Sequence, residues 1–175
     1  MHWMLMPLKR YAELSGRSRR MEYWMFQLFM ILVYVALMVL MMMVGGGALM
    51  SGGDPNALAA AGGAVMLIGG IYVLFGLVMF IPNLAVSIRR LHDTNRSGWW
   101  ILAPLAGYVL VLAGAAMAAS SPDNPGLGGI LSVIGMIVVL GLGLTLLVFL
   151  FLEGTRGPNN YGPDPKGEAL DQVFA

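Results

Sequence analysis

Charged residues in this chain are grouped, and the gaps between the groups are the strongest constraint on its fold. Glu22 and Asp54 are separated by 31 uncharged positions, and Asp54 and Arg89 by 34. Arg96 and Asp123 are separated by 26, and Asp123 and Glu153 by 29. A helix needs about 20 apolar residues to cross the hydrocarbon core of a bilayer. Each gap holds one crossing and none comfortably holds two. The residues filling them are apolar: the chain is 58% hydrophobic and 11% charged, against about 25% charged in a soluble domain. The expected fold is therefore an all-α membrane protein with four transmembrane helices, at about 23–44, 63–88, 99–119 and 126–152. A single membrane domain would cover 1–175, with a tail from 153 to 175.

The signs of the charges orient these spans. All ten Lys and Arg fall before the first span, between the second and third, or after the fourth. The connections at 45–61 and 119–127 carry only Asp54 and Asp123. Basic segments stay cytoplasmic, because Lys and Arg are costly to move across an energised bilayer. Both termini and the 89–97 loop are thus expected in the cytoplasm. The apolar run from Tyr23 to Val44 exceeds the roughly 7–15 residues of a signal-peptide core, so it reads as an uncleaved span.

Local patterns add detail. Residues 2–14 place Lys9, Arg10 and Glu13 on one arc and Met4, Leu8, Tyr11 and Leu14 on the other. This predicts an N-terminal amphipathic interfacial helix, with Pro7 marking where it can begin. Tyr23, Trp24, Trp99 and Trp100 sit where an interfacial aromatic belt belongs. Three stripes of small residues predict close helix approaches: Gly62, Gly69 and Gly76 in the second span, Ala103, Gly107 and Gly114 in the third, and Gly128, Ser132 and Gly135 in the fourth. Pro82 removes one helix hydrogen bond and should kink the second span. Asn83, next to it, serves either as an interhelical hydrogen-bonding group or as a polar group in a cavity; the first is the simpler reading. Gly, Pro and Asn in the tail "EGTRGPNNYGPDPKGEALDQVFA" argue for turns.

Three segments carry most of the remaining polarity: "GRSRRMEYW" at 16–24, "IPNLAVSIRRLHDTNRSGWW" at 81–100 and "GTRGPNNYGPDP" at 154–165. Together they resemble domain-of-unknown-function family 805, small bacterial inner-membrane proteins, and the resemblance runs over essentially the whole chain. The run Arg-Arg-Leu-His-Asp followed by Arg-Ser-Gly-Trp-Trp is its most specific part. The chain departs at Asn160, where members often carry a basic residue, and its Gly- and Ala-rich outer loops look particular to it. The resemblance implies topology and a bacterial inner-membrane location, but no reaction.

If the spans form one bundle, the three segments meet at its cytoplasmic end. Arg17, Arg20, Arg89, Arg90, His92, Asp93, Arg96, Asn159, Tyr161 and Asp164 would then form one polar cluster. Guanidinium groups are planar bidentate donors suited to phosphate, and basic pockets between spans bind lipid headgroups. An anionic-lipid or phosphate site is one reading; positive-inside loops with internal ion pairs are the other. Catalysis is not expected. The pair "HD" resembles part of a phosphohydrolase metal site, but His2 and His92 are the only histidines, and a catalytic metal usually takes three protein ligands. Neither a cofactor nor a metal is expected. A transporter would place ionisable residues within its spans, and none lies there. A membrane scaffold or partner subunit, including a homo-oligomer, is the alternative. Nucleic acid is not expected, since the cations are interleaved with acids and face an anionic membrane that competes for them.

Overall fold

A computed structural model describes residues 2–50, 52, 54–121 and 126–167. Asp123 lies outside the described residues. Among the described residues five α-helices follow one another: α1 (His2–Lys9), α2 (Arg20–Met50), α3 (Pro55–Asp93), α4 (Ala103–Ser120) and α5 (Gly126–Phe151). The last four are long and apolar enough to cross a membrane, α4 together with the 3-10 turn Gly98–Leu102 before it. Among the described residues there is no strand, only an isolated bridge between Asn159 and Gly162. The protein is an all-α membrane protein.

Several boundaries differ from the sequence expectation. The N-terminal helix stops at Lys9 and does not reach residue 14, and it starts at His2, so Pro7 lies within it. Residues 10–12 turn instead, closed by a bidentate Arg10–Glu13 pair at 2.6 and 2.7 Å. Gly45 to Gly47 are helical, part of α2 and not of an outer loop. In lipid a helical backbone satisfies its own polar groups, so helix is extended wherever water is scarce, glycine notwithstanding. With 39 residues at about 1.5 Å each, α3 is ~58 Å long. That exceeds the ~30 Å hydrocarbon core, so the helix projects from it.

Contacts divide the chain into two compact units, Met1–Glu13 with Met21–Val86, and Leu14–Arg20 with Ser87–Ala175. In the first, aromatic rings join α2 to α3: Tyr34 lies 4.8 Å from Tyr72 and 5.3 Å from Phe75, between ring centroids. Asn83 is an interhelical hydrogen-bonding group, accepting from Gln27 Nε2 at 2.7 Å. Pro82 has no N–H to give the Val78 carbonyl four residues back. The Tyr11 hydroxyl donates to that carbonyl instead, so the hydrogen bond that proline removes from α3 is replaced from the N-terminal segment.

The second-span glycine stripe does not pack backbone on backbone. A Cβ at Gly62 or Gly69 would meet nothing within 4 Å, and one at Gly76 would meet only the Tyr34 hydroxyl, at 3.0 Å. The bulky aromatic pairs hold α2 away from this face. In the second unit the expectation for small residues holds. Gly107, Gly114, Gly128 and Gly135 are buried, and each brings α4 and α5 together backbone to backbone.

Candidate functional site

The segment 89–97 is a helix end and not a free loop. Arg89 to Asp93 form the last turn of α3. Asn95 follows with φ 57°, a left-handed conformation that asparagine tolerates better than most residues. The Asn95 N–H reaches the His92 carbonyl at 3.0 Å and the Arg96 N–H reaches the Leu91 carbonyl at 3.0 Å. This pair of bonds is a Schellman closure, which satisfies carbonyls that a helix end would leave bare. Ser97 then accepts from the Trp99 N–H and starts the 3-10 turn. The motif's polar residues thus terminate one helix and start the next.

Asp93 is the centre of the site, and it is 5% exposed. Its Oδ1 accepts from Arg17, at 3.0 Å from Nε and 2.9 Å from Nη2. Its Oδ2 accepts from Arg90 Nη1. Arg17 is 5% exposed and Arg90 is fully buried. Both guanidinium groups also hold main-chain carbonyls. Arg17 donates to Thr155 at 2.5 Å and Gly157 at 2.7 Å. Arg90 donates to Leu150 at 3.1 Å and to Leu152. Leu150 and Leu152 stand at the C-terminal end of α5, where carbonyls lack helical partners and the helix dipole favours a cation. Arg90 is therefore a cap for α5, and Arg17 a clamp on the tail.

The tail replies through its own donors. The Thr155 N–H and hydroxyl both bond to the Asp93 carbonyl, at 2.8 and 3.2 Å. Asn159 Nδ2 donates to the His92 carbonyl and to Thr155 Oγ1, both at 2.9 Å. Asn159 Oδ1 accepts from the Tyr161 N–H at 2.9 Å. Tyr161 stacks on the His92 imidazole, centroids 3.9 Å apart and planes 6° from parallel. His92 Nδ1 lies 3.2 Å from the Gly16 carbonyl, so the hydrogen bond requires the proton on Nδ1. Asp164 accepts from the Gly157 and Lys166 N–H groups, each at 2.9 Å. The Lys166 amide bond holds its carboxyl below the usual carboxylate range; burial opposes this, and the Gly157 amide and the Arg17 charge add to it. The stabilisation of this turn is present above the ordinary carboxylate pKa and is lost as pH falls through the lowered one.

All ten residues singled out from the sequence lie in the second unit, but they have different surroundings. Arg17, Arg90 and Asp93 form the buried node. His92, Asn159, Tyr161 and Asp164 fasten the tail to it. Arg89 is fully buried, and its carbonyl accepts from the Ser18 N–H at 3.1 Å. Arg20 pairs with Glu153 at 2.8 Å on the surface, an arrangement worth about 0–1 kcal/mol. Arg96 lies 3.9 Å over the Phe149 ring, where a cation meets the negative face of the π-system. Sequence reading did not single out Gly154 or Gly16, and it gave no partner for Arg19. A Cβ on Gly154 would collide with the Asp93 carboxylate, Gly16 supplies the carbonyl for His92, and Arg19 donates to the Pro165 carbonyl. The spacing of glycine after the fourth span was a signal for Gly154; carbonyl acceptors leave none.

Comparison with known proteins identifies the family. The family described as "Protein of unknown function (DUF805)" matches residues 11–163. Inner membrane protein YhaI of Escherichia coli (strain K12) is 33% identical over 174 residues, covering 95% of this chain and 97% of that protein. Inner membrane protein YhaH of the same strain is 33% identical over 168 residues, covering 96% and 99%. No solved structure matches. With its four apolar helices and a match running from Tyr11 to Pro163, the chain belongs to the DUF805 family of membrane proteins of unknown function.

Proposed function

We propose that this chain is a non-catalytic protein of the bacterial inner membrane, with both termini cytoplasmic, whose polar node orders a ring of cations for anionic lipid headgroups. The observation that carries this reading is the convergence on Asp93 of two distant segments, through Arg17 and Thr155, beside Arg90 of its own helix turn. Arg17 and Arg90 spend their donors on Asp93 and on main-chain carbonyls, which makes them a clasp and not the phosphate-contacting groups. Arg20 and Arg156, both exposed, and Arg96, partly exposed, lie on the segments that the clasp fixes. Cations near an anionic leaflet contribute about 1 kcal/mol each. The same clasp speaks against catalysis by His92 and Asp93. Both carboxylate oxygens of Asp93 are committed to guanidinium groups, which leaves the pair unsuited to a metal ion.

Lipid retention tests the reading. Protein reconstituted with mixed phosphatidylethanolamine and phosphatidylglycerol should retain phosphatidylglycerol preferentially by native mass spectrometry. The triple variant Arg20→Gln, Arg96→Gln, Arg156→Gln should lose roughly tenfold or more of that preference, as three such contacts imply. Equal retention by variant and parent would reject the headgroup site.

Topology has its own test, because the chain has no cysteine and a single introduced one reports its side. In intact spheroplasts, a membrane-impermeant maleimide should label Asn56→Cys. Asn160→Cys should be labelled only after permeabilisation. The reverse pattern would invert the protein and move the node to the periplasm.

A further inference from the structure

The first unit carries a groove between α2 and α3 that owes nothing to the polar node, and the inference drawn from it rests only on the membrane placement of these helices. The groove has two adjoining lobes that share Tyr34. One, of about 430 Å³, is lined by Val35, Met38, Met41, Gly69, Tyr72 and Val73. The other, of about 290 Å³, is lined by residues that include Gln27, Met30, Gly76, Phe80 and Asn83. Together they fall within the range of roughly 300–1,000 Å³ typical of small-molecule sites. Glycine at 69 and 76 supplies the space, since side chains there would stand in the groove. The methionines supply adaptable walls.

The polar groups of the groove are unevenly placed and incompletely bonded. Tyr34 and Tyr72 make ring contacts, and among the described residues neither hydroxyl has a hydrogen-bond partner. Gln27 gives one amide hydrogen to Asn83; its second hydrogen and its Oε1 are uncommitted among the described residues. Tyr34 lies 14 residues into α2, or ~21 Å along it, well inside the bilayer. An unbonded hydroxyl or amide at such a depth costs several kcal/mol. No Asp, Glu, Lys, Arg or His lines either lobe, so the complementary ligand is uncharged. It must offer hydrogen-bond acceptors to Tyr34 and Gln27, a flat face to the aromatic rings, and a single tail for the apolar lobe. Diacyl lipids have two tails and phospholipids are charged.

We propose that this groove binds a single-tailed isoprenoid quinone. Its carbonyl-bearing ring occupies the lobe of Gln27, Tyr34 and Phe80, and its tail runs past Gly69 toward Met38 and Met41. The quinone is bound here without any electron transfer.

The test uses full-length protein in phosphatidylcholine nanodiscs, titrated with a short-tailed ubiquinone analogue. Saturable thermal stabilisation is expected. Tyr34→Phe combined with Gln27→Leu, which keeps shape and removes the donors, should weaken apparent affinity at least tenfold. Gly69→Leu should abolish the response, and its unliganded melting temperature reports whether the fold survives. Monoolein, a single-tailed lipid without a flat ring, is the competitor. No saturable response from the parent protein overturns the proposal. So does stabilisation by monoolein equal to that by the quinone, which would mark a general acyl-chain groove. If either variant fails to fold, the comparison of quinone with monoolein on the parent decides. Because the readout ignores phosphatidylglycerol, its failure leaves the headgroup reading untouched, and the reverse also holds.

Discussion

Replacing Asp93 by Leu should destabilise the second unit by about 3–5 kcal/mol, the cost of breaking a buried ion pair and leaving its partner charged and uncompensated. Here one carboxylate serves two guanidinium groups, both 5% exposed or less, so its loss sets Arg17 and Arg90 against each other across the space it vacates. Asp93→Asn should cost nearly as much. An amide offers one acceptor where two oxygens now receive from opposite sides, and its NH2 would point at another donor. The readout is twofold. Thermal unfolding in detergent should fall, and limited proteolysis should cut within 153–167 at a protease dose that spares the parent. A variant with parental melting and an uncut tail would show that Asp93 is not what holds the node. The apolar triple Arg17→Met, Arg90→Met, Asp93→Leu sharpens the point. In a pure ion-pair cluster such a swap is often neutral or stabilising. Here it should recover only part of the loss, because the carbonyls of Leu150, Leu152, Thr155 and Gly157 lose their donors with the guanidinium groups.

The four spans were legible because they follow from a solvent with no hydrogen bonds to offer. Apolar length alone identifies a helix there, and the gaps from Glu22 to Glu153 marked all four. The polar cluster was legible as a list and not as a design. The sequence shows that Arg17, Arg90 and Asp93 are charged residues close to span ends. It does not show that Arg90 caps α5 or that Arg17 grips the tail backbone, since a main-chain carbonyl looks the same at every residue. Arg20 illustrates the converse. It has the same residue type and nearly the same position as Arg17, yet one lies in the node and the other in a surface pair with Glu153. The helix starts only at Arg20, so Arg17 belongs to the non-helical segment before it and no helical spacing relates the two. The N-terminal helix was overextended because the pattern of residues 2–14 continues past the point where Arg10 and Glu13 close a turn. The glycine stripe of α3 has the same heptad spacing as a packing face. What the spacing cannot reveal is that Tyr34, Tyr72 and Phe75 keep the neighbouring helix at a distance.

That contrast gives the second large expectation. Gly114→Leu should separate α4 from α5, and Gly69→Ala should be nearly silent. A Cβ on Gly114 would stand 2.5 Å from the Gly128 carbonyl oxygen, 2.5 Å from Ser132 Oγ and 2.6 Å from the Ser132 amide. Two of these three are backbone atoms of a helix that cannot yield without moving as a whole. Overpacking by a methyl group or two typically costs about 1–3 kcal/mol, and a leucine exceeds that. In lipid no hydrophobic force compensates, because helices associate there through close packing and hydrogen bonds. The bond from Ser132 to the Gly128 carbonyl, at 2.9 Å, sits at this crossing and would be distorted along with the contact. Gly69 has the same spacing and an empty surround, so a methyl there meets no neighbour and adds the helix propensity that glycine lacks. Thermal unfolding of the two variants beside the parent decides the matter. Combining Gly114→Leu with Gly128→Leu should cost clearly less than the two single losses together, since helices already parted do not clash a second time. Additive losses would mean that the two glycines act at separate places and that α4 and α5 do not meet through them.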